Sequence, residues 1–312
     1  MNTDNKDTYQ KITDYVIEQL EKGEIVWQKN WNTLGLPKNI SSGNHYKGWN
    51  VFFLNFITLY NGYRTPYFIT YKQAMGMGGT IRRGQKGHYV IWWATMEDKT
   101  KVLKVGEAGQ EEYVSYRVPK MHTVFNIDQT HGIEFPKVEK LFRTHSEKLS
   151  ACEKLLLNFP DCPRIMHGGD RAYYNHVHDF IMMPPVERFH SDEAYYKTLF
   201  HEIAHSTGHA KRLNRKELVE SDGFGKENYS KEELTAELTA AYLCAVCGIQ
   251  ANTITNSAAY LKSWLEALKN DKRMLLKASS QAQAAADYIL NIRTDIPVAS
   301  GYKKEQLTCT II

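Results

Sequence analysis

Tyr195-Tyr196-Lys197-Thr198-Leu199-Phe200-His201-Glu202-Ile203-Ala204-His205-Ser206-Thr207-Gly208 is the stretch from which the rest of the chain can be read. Leu199, Phe200, Ile203 and Ala204 favour a helix, and nothing breaks it before Gly208. On that helix His201 and His205 stand one turn apart on one face. Two imidazoles so placed can hold one metal ion. Zinc suits them, and another divalent transition metal could replace it. Glu202 projects beside the same face, where a carboxylate can act as general base toward water.

The third ligand sets the type of site. A His or Cys six residues beyond His205 would indicate a metzincin, but position 211 is Lys. His209 is four residues on, and Gly208 is expected to end the helix before it. The stronger candidate lies in Glu232-Glu233-Leu234-Thr235-Ala236-Glu237-Leu238-Thr239-Ala240-Ala241-Tyr242-Leu243, which reads as a second helix. Gluzincin peptidases take a metal-binding Glu from such a helix, with a group four residues on that orients a ligating His. Glu233 as ligand and Glu237 as its supporting carboxylate match that arrangement. Glu232 is the alternative ligand, although a carboxylate there also suits a helix N-terminus.

The chain has 312 residues, enough for two domains with their own cores. No apolar run approaches the ~18 residues needed to span a bilayer, and the polar start Met1-Asn2-Thr3-Asp4-Asn5-Lys6-Asp7 is not a signal peptide. A cytoplasmic protein without membrane partners is expected. Its residues specify no oligomeric state. Five scattered cysteines do not make a disulfide scaffold. Cys244 and Cys247 form a lone Cys-x-x-Cys in the apolar continuation of the second helix, where core packing is expected.

The N-terminal half has a different chemistry. From Ile25 to Met96 there is no Asp or Glu, although the chain contains 35. The same stretch holds Lys29, Lys38, Lys47, Arg64, Lys72, Arg82, Arg83 and Lys86, with fifteen aromatics including Trp27, Trp31, Trp49, Trp92 and Trp93. An aromatic core explains part of this: Phe52, Phe53 and Phe56 keep helical spacing within 49–60. A single-stranded-DNA surface explains the rest, because cations track phosphates and rings stack on unpaired bases at ~1–3 kcal/mol each. The candidate DNA residues are Trp27, Lys29, Trp31, Lys47, Trp49, Arg64, Lys72, Arg82, Arg83 and Lys86. Five glycines in 76–87 would let backbone approach a phosphate; tight turns joining strands are the alternative. No Gly-Lys-Ser/Thr closes a Walker loop.

Helices are expected over 8–22 and 146–159, with two more over 256–293. Strands are expected over 89–94, 113–125 and 180–183, with a mixed-charge hairpin or insert over 97–115. The 180–183 strand is expected at a sheet edge able to pair with an extended peptide. His176 and His178 near it read as surface or structural residues. The fold class is α+β. An N-terminal mixed α/β single-stranded-DNA-binding domain (1–130) is followed by a linker (131–148). A C-terminal zincin-like, gluzincin-type metallopeptidase domain (149–312) completes the chain.

These motifs, in this order, resemble the ArdC-type antirestriction proteins of conjugative plasmids and related mobile elements. The resemblance is carried by Trp27-Gln28-Lys29-Asn30-Trp31, Tyr46-Lys47-Gly48-Trp49-Asn50, Thr70-Tyr71-Lys72-Gln73-Ala74 and Val124-Phe125-Asn126-Ile127-Asp128-Gln129 on one side. On the other it rests on Gly168-Gly169-Asp170-Arg171-Ala172-Tyr173-Tyr174, the His201 helix, Arg212-Leu213-Asn214-Arg215 and Glu232 to Glu237. It implies an N-terminal single-stranded-DNA-binding domain joined to a zincin-like peptidase acting on an unidentified protein, and protection of incoming DNA from restriction during transfer. The alternative is a non-catalytic DNA-binding protein whose metal is structural or vestigial. A two-metal nuclease fits less well, since Mg²⁺ sites of that kind need clustered carboxylates.

Overall fold

The computed structural model describes residues 3–23, 25, 35–105, 111–136, 144–219, 227–249 and 258–292. The chain opens with α1 (Thr3–Glu21), whose buried Ile12, Val16 and Leu20 keep one helical face inward. Next come β1 (Lys38–Asn39), α2 (Trp49–Tyr60), β2 (Tyr67–Ile69), α3 (Tyr71–Gly76) and β3 (Thr80–Ile81). The helix expected from Phe52, Phe53 and Phe56 spans the same residues as α2. Thr70 caps α3 through a capping box with Gln73.

The mixed-charge segment expected as a hairpin or insert is hairpin in its described residues: 97–105 and 111–115 are the outer arms of a long antiparallel ribbon, β4 (His88–Val105) with β5 (Glu111–Asn126). The sheet order is β1-β2-β5-β4, so β4 is an edge, and β6 (Thr130–His131) pairs separately with β3. The glycines of 76–87 serve turns and close packing. Gly78 and Gly84 have φ of 79° and 82°. A Cβ on Gly87 would stand 2.2 Å from Thr123.

The second half runs α4 (His145–Asn158), β7 (Arg164–His167), β8 (Tyr173–Asn175), β9 (Phe180–Met183) and α5 (Asp192–Ser206). It continues with α6 (Lys216–Val219), α7 (Glu227–Cys247), α8 (Ala258–Asn270) and α9 (Met274–Ile289). The small sheet has the order β7-β9-β8. The Phe180–Met183 strand is therefore central, not the edge expected from sequence. It pairs in parallel with β7 and antiparallel with β8. Four successive apolar residues suit a strand covered on both faces, and among the described residues the edges are β7 and β8.

A continuous apolar cluster joins the two halves, from Ile12 and Val16 of α1 through Phe56 of α2 to Phe200, Leu238 and Ile289. Polar bonds accompany it: Thr13 Oγ1 donates to the Lys272 carbonyl at 3.0 Å, and Gly48 N–H donates to Gln283 Oε1 at 3.0 Å. No described helix is long and apolar enough to cross a membrane.

Candidate metal centre

α5 begins where Ser191 accepts a hydrogen bond from Ala194 N–H, with Asp192 and Glu193 in its first turn complementing the helix dipole. It ends at Thr207. Gly208 sits there because space is lacking: a Cβ would meet Arg215 Nη2 and Leu218 Cδ2, each at 2.9 Å. His209 lies beyond the helix end and outside the donor cluster.

α5 packs against α7, and their facing side chains form one polar pocket in otherwise apolar surroundings. One atom each from His201, His205 and Glu233 lie within 4.8 Å of one another, the group of described residues suited to hold a metal. The two Nε2 atoms are 3.1 Å apart. Glu233 places Oε2 3.4 Å from His201 Nε2 and Oε1 3.3 Å from His205 Nε2.

Each imidazole is backed on its other nitrogen. Glu237 Oε1 lies 3.5 Å from His201 Nδ1, and Glu232 Oε1 lies 3.2 Å from His205 Nδ1. The pairs Glu237–His201 and Glu232–His205 require the two helices to run antiparallel where they meet. Glu232, the alternative ligand in the sequence, thus faces the far side of His205, away from the three-atom group. Arg215 holds it by donating from Nε to Oε2 at 2.9 Å and from Nη2 to Oε1, while also donating to the Ala204 carbonyl at 2.8 Å.

The electrostatics favour a cation. Burial pushes both imidazoles toward the neutral form, but Glu233 with Glu237 or Glu232 outweighs it and raises both above their ordinary value. The same imidazoles hold Glu233 well below the usual carboxylate range despite its burial. Two Nε2 atoms and a carboxylate, with both Nδ1 atoms carboxylate-backed, are the donor set and outer support of a zinc-type site. Glu202, next to His201, is 8% exposed. Cys244 and Cys247 are free and buried in α7, and His176 and His178 are exposed in the β8–β9 turn.

Sequence reasoning missed the supporting roles of three residues, Arg212, Lys197 and Arg215. Arg212 donates to Tyr174 Oη at 3.1 Å, to Asp179 and to the Ser206 carbonyl at 2.7 Å, tying the β8–β9 turn to the end of α5. Lys197, one turn before His201, is buried and its ammonium has no hydrogen-bond partner among the described residues. The spacing 197, 201, 205 carried the signal for Lys197, whereas Arg215 contacts Glu232 across a sequence gap that has no periodicity.

The candidate DNA residues are dispersed. Lys47, Lys72, Arg82, Arg83 and Lys86 are exposed. Arg64 pairs with Asp128 at 2.6 Å and lies 4.3 Å over the Phe135 ring. Trp49 is a correction to the expected surface: it is 4% exposed and stacks on Phe53, so its ring belongs to the core and cannot receive a base. Trp27, Lys29 and Trp31 lie outside the described residues.

Two family models match the chain: the N-terminal domain of anti-restriction factor ArdC over residues 6–125, and a zincin-like metallopeptidase over residues 160–281. The crystal structure of metal-free antirestriction protein ArdC from plasmid R388 superposes with a TM-score of 0.71 at 38% identity, covering 91% of this chain and 96% of that one. This chain belongs to the ArdC antirestriction family. The Mn(II)-bound R388 ArdC structure gives a TM-score of 0.72 at 37% identity, covering 91% of this chain and 97% of that one. An uncharacterized protein of Sinorhizobium fredii, y4eC, is 31% identical, covering 91% of each chain. A DNA primase TraC of Escherichia coli is 34% identical over 91% of this chain but only 27% of its own length. The zincin-like domain and the Mn(II)-bound relative point to a divalent metal.

Proposed function

We propose that this protein protects incoming single-stranded DNA from host restriction, and that its metallopeptidase domain hydrolyses a protein at the His201–His205–Glu233 site. The observation that carries the second claim is the convergence of three donor atoms within 4.8 Å, each imidazole backed by its own carboxylate. A divalent ion held by these residues, zinc by their chemistry, supplies Lewis-acid polarisation of water and of a carbonyl.

The remaining steps belong to the chain. Glu202 takes a proton from the attacking water, whose oxygen bonds to the peptide carbon, and returns that proton to the leaving nitrogen as the C–N bond breaks. Glu232 accepts from Nδ1–H of His205, and the Glu237 carboxylate faces Nδ1 of His201, which leaves both Nε2 lone pairs free to hold a metal. Among the described residues β8 pairs on one side only, and its other edge suits an extended peptide. DNA bound by the N-terminal domain brings the protein target near this edge.

The experiment measures entry of unmethylated DNA into a restricting host expressing wild type, Glu202→Gln or Arg82→Ala/Arg83→Ala. Loss of protection in the arginine variant and in Glu202→Gln, both folded, is expected. Protection that survives Glu202→Gln while failing in the arginine variant would reduce the mechanism to occupancy of DNA. Equal proteolysis by Glu202→Gln and wild type would remove the peptidase reading.

A further inference from the structure

The two halves of the molecule enclose a cleft of about 960 Å³. One wall is N-terminal: Lys47 from the segment before α2, Trp92 and Trp93 from the edge strand β4, and Arg117 and His122 from β5. The opposite wall is α9 of the metallopeptidase domain, through Ser280, Gln283, Ala284 and Asp287. The hydrogen bond from Gly48 N–H to Gln283 Oε1 joins the walls.

The lining has a definite chemistry. Lys47 and Arg117 are exposed and form no ion pair among the described residues, and His45 and His122 stand with them. Asp287 is the single carboxylate in the lining, and its Oδ1 already accepts from Gln283 Nε2 at 2.9 Å. Trp92 is 56% exposed and Trp93 38%. His122 lies across Trp92, with ring centroids 5.9 Å apart and planes at 78°. Large rings left in water beside unpaired cations are what an unpaired polynucleotide covers: bases stack on the rings and phosphates follow the cations. In a duplex, base faces are already stacked and cannot reach the indoles.

We infer that single-stranded DNA binds in this interdomain cleft, with a base stacked on Trp92, phosphates following Lys47, and α9 as the second wall. The inference rests on the single-stranded-DNA reading and deepens it. The metallopeptidase domain is then half of the DNA site, and the bound strand bridges both domains. This differs from a binding surface confined to the N-terminal domain.

The test uses the full chain and a fluorescein-labelled oligothymidylate, followed by anisotropy. Trp92→Ala is expected to weaken binding by roughly tenfold, the loss of one stacked base. Ala284, exposed on α9, is changed in both directions. Ala284→Glu is expected to weaken binding and Ala284→Lys to tighten it, with both effects shrinking as salt rises. A folding defect would move the two variants the same way. Wild-type binding that neither Ala284 change nor Trp92→Ala alters would overturn the cleft while leaving single-strand binding intact. A wild type that fails to bind the oligomer would overturn both.

Discussion

Glu232 Oε1 lies 3.2 Å from Nδ1 of His205, and the same carboxylate is clamped by Arg215. The imidazole is thus oriented by a charge that is itself held in place. Removing that charge without changing shape, by Glu232→Gln, is expected to lower metal affinity by ~10–100-fold while the fold persists. Competition titration with a chromophoric chelator measures it. An unchanged affinity would mean that His205 is oriented by packing alone.

Gly208 gives Arg215 its room. Gly208→Ala is expected to push the guanidinium off Glu232 and destabilise the protein by ~1–3 kcal/mol, as small-to-large changes in packed sites do. Arg215→Ala should cost more, about 3–5 kcal/mol, because it strips a buried carboxylate of its guanidinium and leaves only His205 beside it. Denaturant midpoints rank the two, and the reverse order would contradict this assignment.

Lys197 is a charge buried near the site. Burial pulls its ammonium below the ordinary lysine value, while Glu237 opposes that shift. Folding therefore works against the charged form. Lys197→Met should raise the thermal midpoint by relieving that desolvation. It should also tighten metal binding, because a positive charge near the cation site is removed. Calorimetric unfolding and metal titration of the same variant read the two effects. A lower midpoint together with unchanged affinity would count against both.

His88 sets a pH dependence remote from the metal centre. Burial drives its pKa down to about 4, against a smaller opposing pull from Gln129. A depressed histidine leaves the folded state with fewer bound protons than the unfolded chain. Its contribution is therefore complete above about pH 6.5 and is lost as pH falls toward 4. The loss is on the order of 3 kcal/mol. Unfolding of His88→Gln should be flatter than wild type between pH 6.5 and 4, and parallel curves would show that His88 is not responsible.

Much of this molecule is legible in local patterns. His201 with His205, and Glu233 with Glu237, stand out by helical spacing, because a candidate site built by two helices inherits their period; preferring Glu233 to Glu232 took the likeness to gluzincins as well. The α2 boundaries follow from aromatic periodicity in the same way. Contacts that close across the chain are invisible to such reasoning. Asp128 pairs with Arg64 from outside the acid-free stretch, so a segment without carboxylates is not a surface without them. Trp49 turns inward while Trp92 and Trp93 stay exposed, a distinction that residue type alone cannot draw. The central place of the Phe180–Met183 strand comes from β7 and β8, which pair with it from elsewhere in the chain. Its unbroken apolar run speaks for the covering of its two faces, not for lateral neighbours.

The most direct test is calorimetric titration of Zn²⁺, and separately Mn²⁺, into the metal-stripped full chain and its Glu202→Gln and Glu233→Gln variants. One ion per chain is expected for wild type and for Glu202→Gln, with binding lost or weakened by orders of magnitude in Glu233→Gln. Wild-type affinity in Glu233→Gln would contradict the assignment of His201, His205 and Glu233 as the metal-binding set.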